Sequence, residues 1–224
     1  MTNASKSEID KLGARLRESL SSDDLRLLDT YRLSFAPAYA EVIQAIQSTT
    51  GMDVSGRPAK STNAIVDKLS RESIRLSQMQ DIAGCRIVVA DMETQNSLAA
   101  KLRVLFIDAV ISDRREKPSH GYRAIHLIVR HGERTVEIQI RSQLQHLWAE
   151  HSEKLADKFG IAVKYGGGPE DIMLRLGALS KNIWFVELLE ANSVKSNSDA
   201  GRKLLSNLKA NVQTALTDLL KTAG

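Results

Sequence analysis

The stretch from Gly121 to Arg141, GYRAIHLIVRHGERTVEIQIR, restricts what the chain can become more than any other. Two β-rich runs meet at His131-Gly132-Glu133, a short polar connection containing glycine, and this predicts an antiparallel hairpin. In the second run Val136, Ile138 and Ile140 point one way and Glu137, Gln139 and Arg141 the other, because side chains alternate along a strand. One face of that strand is read as core and the other as ionic. In the first run Tyr122, Ala124 and His126 share a face, opposite Arg123, Ile125, Leu127 and Val129. An acid, an amide and an arginine in a row also suit an ordinary solvated sheet, so the hairpin alone does not name a chemistry.

Helical patterns surround it. Ile9, Leu12, Leu16 and Leu20 recur at helical spacing; Ser21-Ser22-Asp23-Asp24 offers caps for a second helix carrying Leu28, Tyr31 and Phe35. Pro37 is expected to kink it, with Tyr39, Val42, Ile43 and Ile46 continuing the stripe. Residues 1–50 are therefore read as helical packing elements. Gly51 to Ser61 reads as a loop, and Thr62 to Arg71 as a short helix with Lys68 and Arg71 on one side. This basic region is no P-loop, since the GxxxxGK[ST] spacing is absent. Asp81 precedes an apolar strand, Gly84 to Ala90; residues 92–106 suit a helix and Ala109-Val110-Ile111 a short strand. Leu144, Leu147, Trp148, His151, Leu155 and Phe159 mark a helix after the hairpin. His146, Glu150 and His151 lack the H-E-x-x-H spacing and have no completing cluster, which excludes a zinc site of that kind. After a glycine turn at Gly166-Gly167-Gly168, residues 170–190 and 200–221 read as two further helices that pack on the sheet or on another subunit, separated by Asn192 to Asp199.

At 224 residues the chain can bury a sizeable core, and the simplest organisation is a core of residues 51–165 with helices at 1–50 and 166–224. Cys85 is the only cysteine, so no internal disulfide forms; with no apolar leader or spanning stretch, the expectation is a cytoplasmic protein with no membrane association. A net charge of +4 favours anionic partners, and 4% aromatic residues leave no extended base-stacking surface.

Asp81 at a strand mouth and Glu137 on a polar strand face, with cations upstream, form the combination a magnesium nucleotide needs: hard oxygen ligands for the metal, and Arg or Lys for phosphate charge the metal leaves uncompensated. An ion-paired structural cluster remains the alternative on chemistry alone.

The order Gly56-Arg57-Pro58-Ala59-Lys60, Lys68 and Arg71, Asp81-Ile82-Ala83-Gly84-Cys85-Arg86, Gly121-Tyr122-Arg123-Ala124-Ile125-His126 and Val136-Glu137-Ile138-Gln139-Ile140-Arg141 resembles the synthetase domain of the RelA/SpoT family over roughly residues 50–165. The short length resembles the single-domain small alarmone synthetases. The resemblance implies an α/β (α+β) fold, a mixed β-sheet flanked by helices and related to nucleotidyltransferases. It implies an ATP-dependent pyrophosphokinase using Mg2+, with GTP or GDP as acceptor and (p)ppGpp as product, and no hydrolase activity, since no histidine is followed by aspartate. Carried over by position, Arg57 and Arg86 sandwich the adenine, and Lys60, Lys68 and Arg71 hold the phosphates. Asp81 binds magnesium, and Glu137 completes the metal site or deprotonates the attacking hydroxyl. Tyr122 stacks on the acceptor base, with His126, Gln139, Arg141 and the loop residue Lys117 on the acceptor side.

Three departures stand out. Pro58-Ala59 separates Arg57 from Lys60 where the family usually has one residue, and His120 precedes Gly121 where members using GTP or GDP commonly have Asn. Those members also commonly carry a Lys-Asp-Tyr-Ile stretch where this chain has Ser112-Asp113-Arg114-Arg115. Asp81 to Arg86 and Lys164 to Gly168 also resemble a toxin-like branch, which admits a tRNA 3′ end or an adenine nucleotide as acceptor, an antitoxin as partner, and a homo-oligomer. A binding module without catalysis is the competing class; two metal-facing acids argue against it.

Overall fold

The computed structural model describes residues 4–193 and 199–222. In chain order it has α1 (Lys6–Glu18), α2 (Ser22–Leu33), α3 (Ala36–Thr50), β1 (Ser55–Arg57), α4 (Thr62–Arg71), β2 (Ala83–Val89), α5 (Met92–Leu105), β3 (Val110–Asp113), β4 (Ile125–His131), β5 (Arg134–Ser142), α6 (Gln143–Phe159), α7 (Glu170–Ser193) and α8 (Asp199–Thr222), with 3-10 turns at Leu76–Gln78 and Ile161–Tyr165. The strands form one mixed five-stranded sheet in the order β1-β2-β5-β4-β3, as the expected fold class requires. The β4–β5 hairpin turns through Gly132, whose φ of 58° suits glycine.

The chain divides into two compact units. The first comprises Met1–Ile87, Leu102–Ile111 and Leu127–Gln139. Its helices bury Leu12, Leu16, Leu28, Ile46, Ile65 and Leu69, each worth about 1.5–3 kcal/mol when fully removed from water. Serine caps set the starts: Ser5 forms a capping box with Glu8, and Ser21 and Ser61 accept the backbone N–H of Asp24 and Ala64. Leu20, expected on the first apolar stripe, is 51% exposed because α1 ends at Glu18 and the chain turns extended at Ser19. Pro37 starts α3 rather than kinking α2, since a proline in the first helical turn loses no hydrogen bond. The expected loop at 51–61 contains a strand: β1 pairs antiparallel to β2 with Gly56 opposite Cys85. A Cβ on Gly56 would lie 2.5 Å from the Gly84 carbonyl oxygen, so only glycine allows this approach.

The second unit comprises Val88–Lys101, Ser112–His126 and Ile140–Gly224. Trp148 and Leu155 of α6, Leu176 and Ile183 of α7, and Val212, Leu216 and Leu219 of α8 share one core, so the two C-terminal helices cover α6. Within the expected separator 192–199, residues 194–198 lie outside the described residues. The ionic strand face is only half as expected. Glu137 and Gln139 are half-buried, but Arg141 is 6% exposed, and Arg123 and His126 are 5% exposed. Strand alternation names opposite faces, and here both are covered.

Candidate functional site

In the first unit, the loop after β1 brings Lys60 and α4 brings Lys68 to the same carboxylate. Lys60 Nζ donates to Asp81 Oδ2 at 2.7 Å and Lys68 Nζ to Oδ1 at 2.9 Å. The Lys60 backbone N–H donates to the Ile82 carbonyl at 2.7 Å, which fixes the loop beside β2 despite its extra residue. All three side chains are largely covered, at 14%, 20% and 19% exposure for Lys60, Lys68 and Asp81. Burial would raise the Asp81 pKa, but the two ammoniums outweigh it and hold the carboxyl below its ordinary value. Asp81 is thus an anion whose two oxygens each carry a cation. The residues expected on phosphate and on metal are brought together on one another.

Arg57 and Arg86 follow from the β1–β2 register. Arg57 faces Gly84 and Ser55 faces Arg86, so the two arginines lie on one face as a diagonal cross-strand pair. Alternation along β2 buries Ala83, Cys85 and Ile87 and leaves Gly84 and Arg86 on the more accessible side. Gly84 also neighbours Glu137: a Cβ there would lie 3.6 Å from Glu137 Cβ. Arg57, Gly84 and Glu137 therefore form a row across three strands whose middle member has no side chain. Gln139 Nε2 donates to Glu137 Oε2 at 2.7 Å, which places this residue, expected on the acceptor side, against the candidate base. Arg71 reaches Glu72 at 3.3 Å and lines a cavity of about 330 Å3 with Arg17, Ser70, Ser73 and Arg75 at the C-terminal end of α4.

In the second unit, Ser119 to Tyr122 form a tight turn closed by the Tyr122 N–H on the Ser119 carbonyl at 2.9 Å. Both central residues have positive φ, 51° at His120 and 91° at Gly121, the signature of a type I′ turn. Asn is favoured in that conformation, and His is enriched there among non-glycine residues. His120 in place of Asn is thus a substitution between residues that accept the same backbone. We expect His120→Asn to leave acceptor KM unchanged and His120→Val to lower stability by about 1–2 kcal/mol in denaturant titrations, since a β-branched residue is strained at this φ.

The turn presents Tyr122, half-buried, whose hydroxyl meets His126 Nε2 at 2.9 Å and accepts from Arg141 Nη2 at 3.0 Å. The Arg141 guanidinium lies 4.9 Å from the ring centroid and His126 packs edge-on at 5.5 Å. Tyr122, His126 and Arg141 are therefore one constellation. Lys117 and Arg114 are exposed, whereas Arg115 turns inward to Asp113, at 2.6 Å from Nη2 to Oδ2, and to Gln95.

Sequence reading missed a buried polar network in this unit. Arg123 Nε donates to the Ser180 carbonyl and hydroxyl, Ser180 Oγ donates to the Gly121 carbonyl at 2.6 Å, and Glu187 accepts from Ser142 Oγ and from Gln145 Nε2. Burial raises the Glu187 pKa above its ordinary value against these two hydrogen bonds and the field of Arg115 and Arg123. A serine and a glutamate in register with Leu176 and Ile183 on the apolar stripe of α7 were the available signal.

Among the described residues no cluster of three or more His, Cys, Asp or Glu could hold a metal. The Asp81 carboxylate, held on the Lys60 and Lys68 ammoniums, fits a magnesium ion that arrives with phosphate oxygens better than one bound by protein alone. Asp81 would hold it. No described helix is long and apolar enough to cross a membrane.

Residues 56–159 match the family described as the region found in RelA/SpoT proteins. An uncharacterised protein of Mycobacterium tuberculosis is 36% identical over 178 residues, covering 75% of this chain and 64% of that protein, as is its Mycobacterium bovis counterpart. The chain thus spans under two thirds of these relatives' length. Small alarmone synthetase 1 from Bacillus subtilis superposes with a TM-score of 0.56 at 25% identity, covering 79% of this chain and 97% of that one. A protein from Streptococcus mutans does so with a TM-score of 0.55 at 28% identity, covering 80% and 98%. Residues 56–159 are thus a RelA/SpoT-family synthetase domain.

Proposed function

We propose that this chain transfers the β,γ-diphosphate of ATP to the 3′-hydroxyl of a guanine nucleotide, GTP or GDP, releasing AMP and forming (p)ppGpp. The observation that carries the reading is the Asp81 carboxylate gripped by Lys60 and Lys68. A polyphosphate entering this cluster would take the lysines and free Asp81 to hold a divalent ion. Two ammoniums on one carboxylate leave the cluster with a net charge of +1, which favours the entry of an anion. Arg57 and Arg86, diagonal neighbours on one face of the sheet, offer two guanidinium planes that can stack on a purine. The bare Gly84 backbone leaves room beside them.

In the reaction the acceptor 3′-oxygen attacks the β-phosphorus, the bond from that phosphorus to the α,β-bridging oxygen breaks, and AMP departs with the electron pair. Glu137, whose Oε2 accepts from Gln139 Nε2, takes the hydroxyl proton. Bound magnesium would neutralise charge developing on the transferred and leaving oxygens. Tyr122 receives the acceptor base, with its ring set by Arg141 and His126. A free nucleotide is favoured over tRNA because Arg115, one of the loop cations, is committed to Asp113 and is not offered to a phosphate backbone.

The deciding experiment incubates the protein with γ-labelled ATP, Mg2+ and, separately, GTP, GDP, an adenine nucleotide and tRNA. Label should appear on GTP or GDP in step with AMP. Label confined to an adenine nucleotide or to tRNA would replace the guanine acceptor, and no AMP with any acceptor would make the chain a binding module.

A further inference from the structure

We propose that Ser180 and Glu187 of α7 are positioning residues for the acceptor, holding the Gly121-Tyr122 turn and Arg141 in place from a helix that lies beyond the family-matched residues. The inference rests on the proposed role of Tyr122 but is built on contacts within the second unit alone. Ser180 Oγ accepts from Arg123 Nε at 3.0 Å and donates to the Gly121 carbonyl at 2.6 Å, so one buried hydroxyl fixes the residue before Tyr122. The Arg123 guanidinium is also seated 5.2 Å from the Trp184 ring and donates to the Arg115 carbonyl, which ties the loop leading into the turn to the same helix.

Space is as tight as the polar contacts. A Cβ on Gly121 would lie 2.6 Å from Trp148 Cζ2 and 3.3 Å from Ser180 Cβ, and Trp148 is itself pinned by its Nε1 donating to the Leu176 carbonyl of α7 at 2.9 Å. On the other side of Tyr122, Glu187 accepts from the hydroxyl of Ser142, the residue that follows Arg141 and caps α6. Gln145 joins Glu187 to Gln95, whose Nε2 donates to the Ile140 carbonyl at 2.8 Å. The backbone on both flanks of Arg141 is therefore held. α7 thus grips the turn before the stacking ring and the strand that carries the arginine on that ring. None of these α7 side chains need touch a substrate.

The test compares Ser180→Ala and Glu187→Gln with the parent, using amide hydrogen exchange at Tyr122, steady-state kinetics with GTP or GDP, and binding of a non-hydrolysable α,β-methylene ATP. Glu187→Gln keeps the side-chain shape, so it remains informative if the serine variant does not fold. The expected result is faster Tyr122 exchange and an acceptor KM raised roughly tenfold, the factor carried by one lost hydrogen bond to a charged or strained partner, with kcat and analogue binding within twofold. Ser180→Thr, which restores the hydroxyl, should recover most of the acceptor KM. A helix that merely stabilised the fold would lower the melting temperature and the active fraction without singling out the acceptor. Unchanged Tyr122 exchange, or equal losses for acceptor and ATP analogue, overturns the proposal. A parent that releases no AMP, with exchange still responding to Ser180→Ala, overturns the transferase reading and upholds the positioning.

Discussion

Asp81→Asn should lower pyrophosphate transfer on the order of a thousandfold while nucleotide binding in the absence of metal is kept or strengthened. The two halves of this outcome come from the same contacts. An amide offers no ionic oxygen to a divalent cation, so the electrostatic support for the transferred group is lost. The same change leaves the Lys60 and Lys68 ammoniums facing one another without their shared carboxylate, and a polyphosphate then meets no competitor for them. Calorimetry of the ATP analogue in EDTA, beside turnover in Mg2+, separates the effects; loss of metal-free binding would sink the exchange of partners at Asp81. The fold should survive at a cost of about 1–3 kcal/mol, below the value for a fully buried broken pair because water reaches all three groups. The pH dependence has a definite sign. The Asp81 pKa is held below its ordinary 3.8, so its stabilisation is complete above that pH and is lost as pH falls through the lowered folded-state value. Melts of Asp81→Asn should lack that part of the acid-side decline.

Tyr122→Ala should cost about 1–3 kcal/mol of acceptor binding and leave ATP binding unchanged. The ring is the proposed stacking surface, and its hydroxyl also joins Arg141 to His126, so truncation removes a platform and the bond that orients two neighbours. Tyr122→Phe divides these contributions, since it keeps the ring and deletes only the hydroxyl; it should retain more than half of the binding free energy that alanine forfeits. With a free nucleotide as acceptor, the loss should vary little with added salt. An acceptor affinity that falls steeply with added salt would instead implicate backbone phosphates and the exposed Arg114 and Lys117. Equal acceptor KM values for Tyr122→Ala and the parent would remove Tyr122 from the acceptor site.

Long periodic elements were legible because their signal is internal. The β4–β5 hairpin, α4, α7 and α8 each repeat an apolar spacing over many residues. β1 repeats nothing: three exposed residues carry no alternation, and its pairing is visible only in the clash that any residue but glycine would make at Gly56. The burial of Arg123 and Arg141 was hidden for a different reason. Alternation tells which residues share a face and is silent on what covers that face. The charged side chains of the candidate site could be named from residue type and order, but their pairing could not. Lys60 and Lys68 read as phosphate ligands and Asp81 as a metal ligand, whereas their mutual contacts depend on where α4 comes to rest. His120 read only as a departure from the Asn common in members using GTP or GDP, because the positive φ it adopts leaves no mark in the sequence order.

Cys85 has a consequence for how this chain can be handled. It lies on the buried side of β2, and burial, with the Glu137 charge adding to it, pushes its thiol up to about 12. At neutral pH only about one thiol in 10^5 is then a thiolate, the form that alkylating reagents attack. A second cysteine placed on the surface can carry a fluorophore or spin label without removal of the native one. Slow capture of Cys85 itself would serve as a clock for the opening of β2, since the reagent can reach that sulfur only when the strand leaves its neighbours.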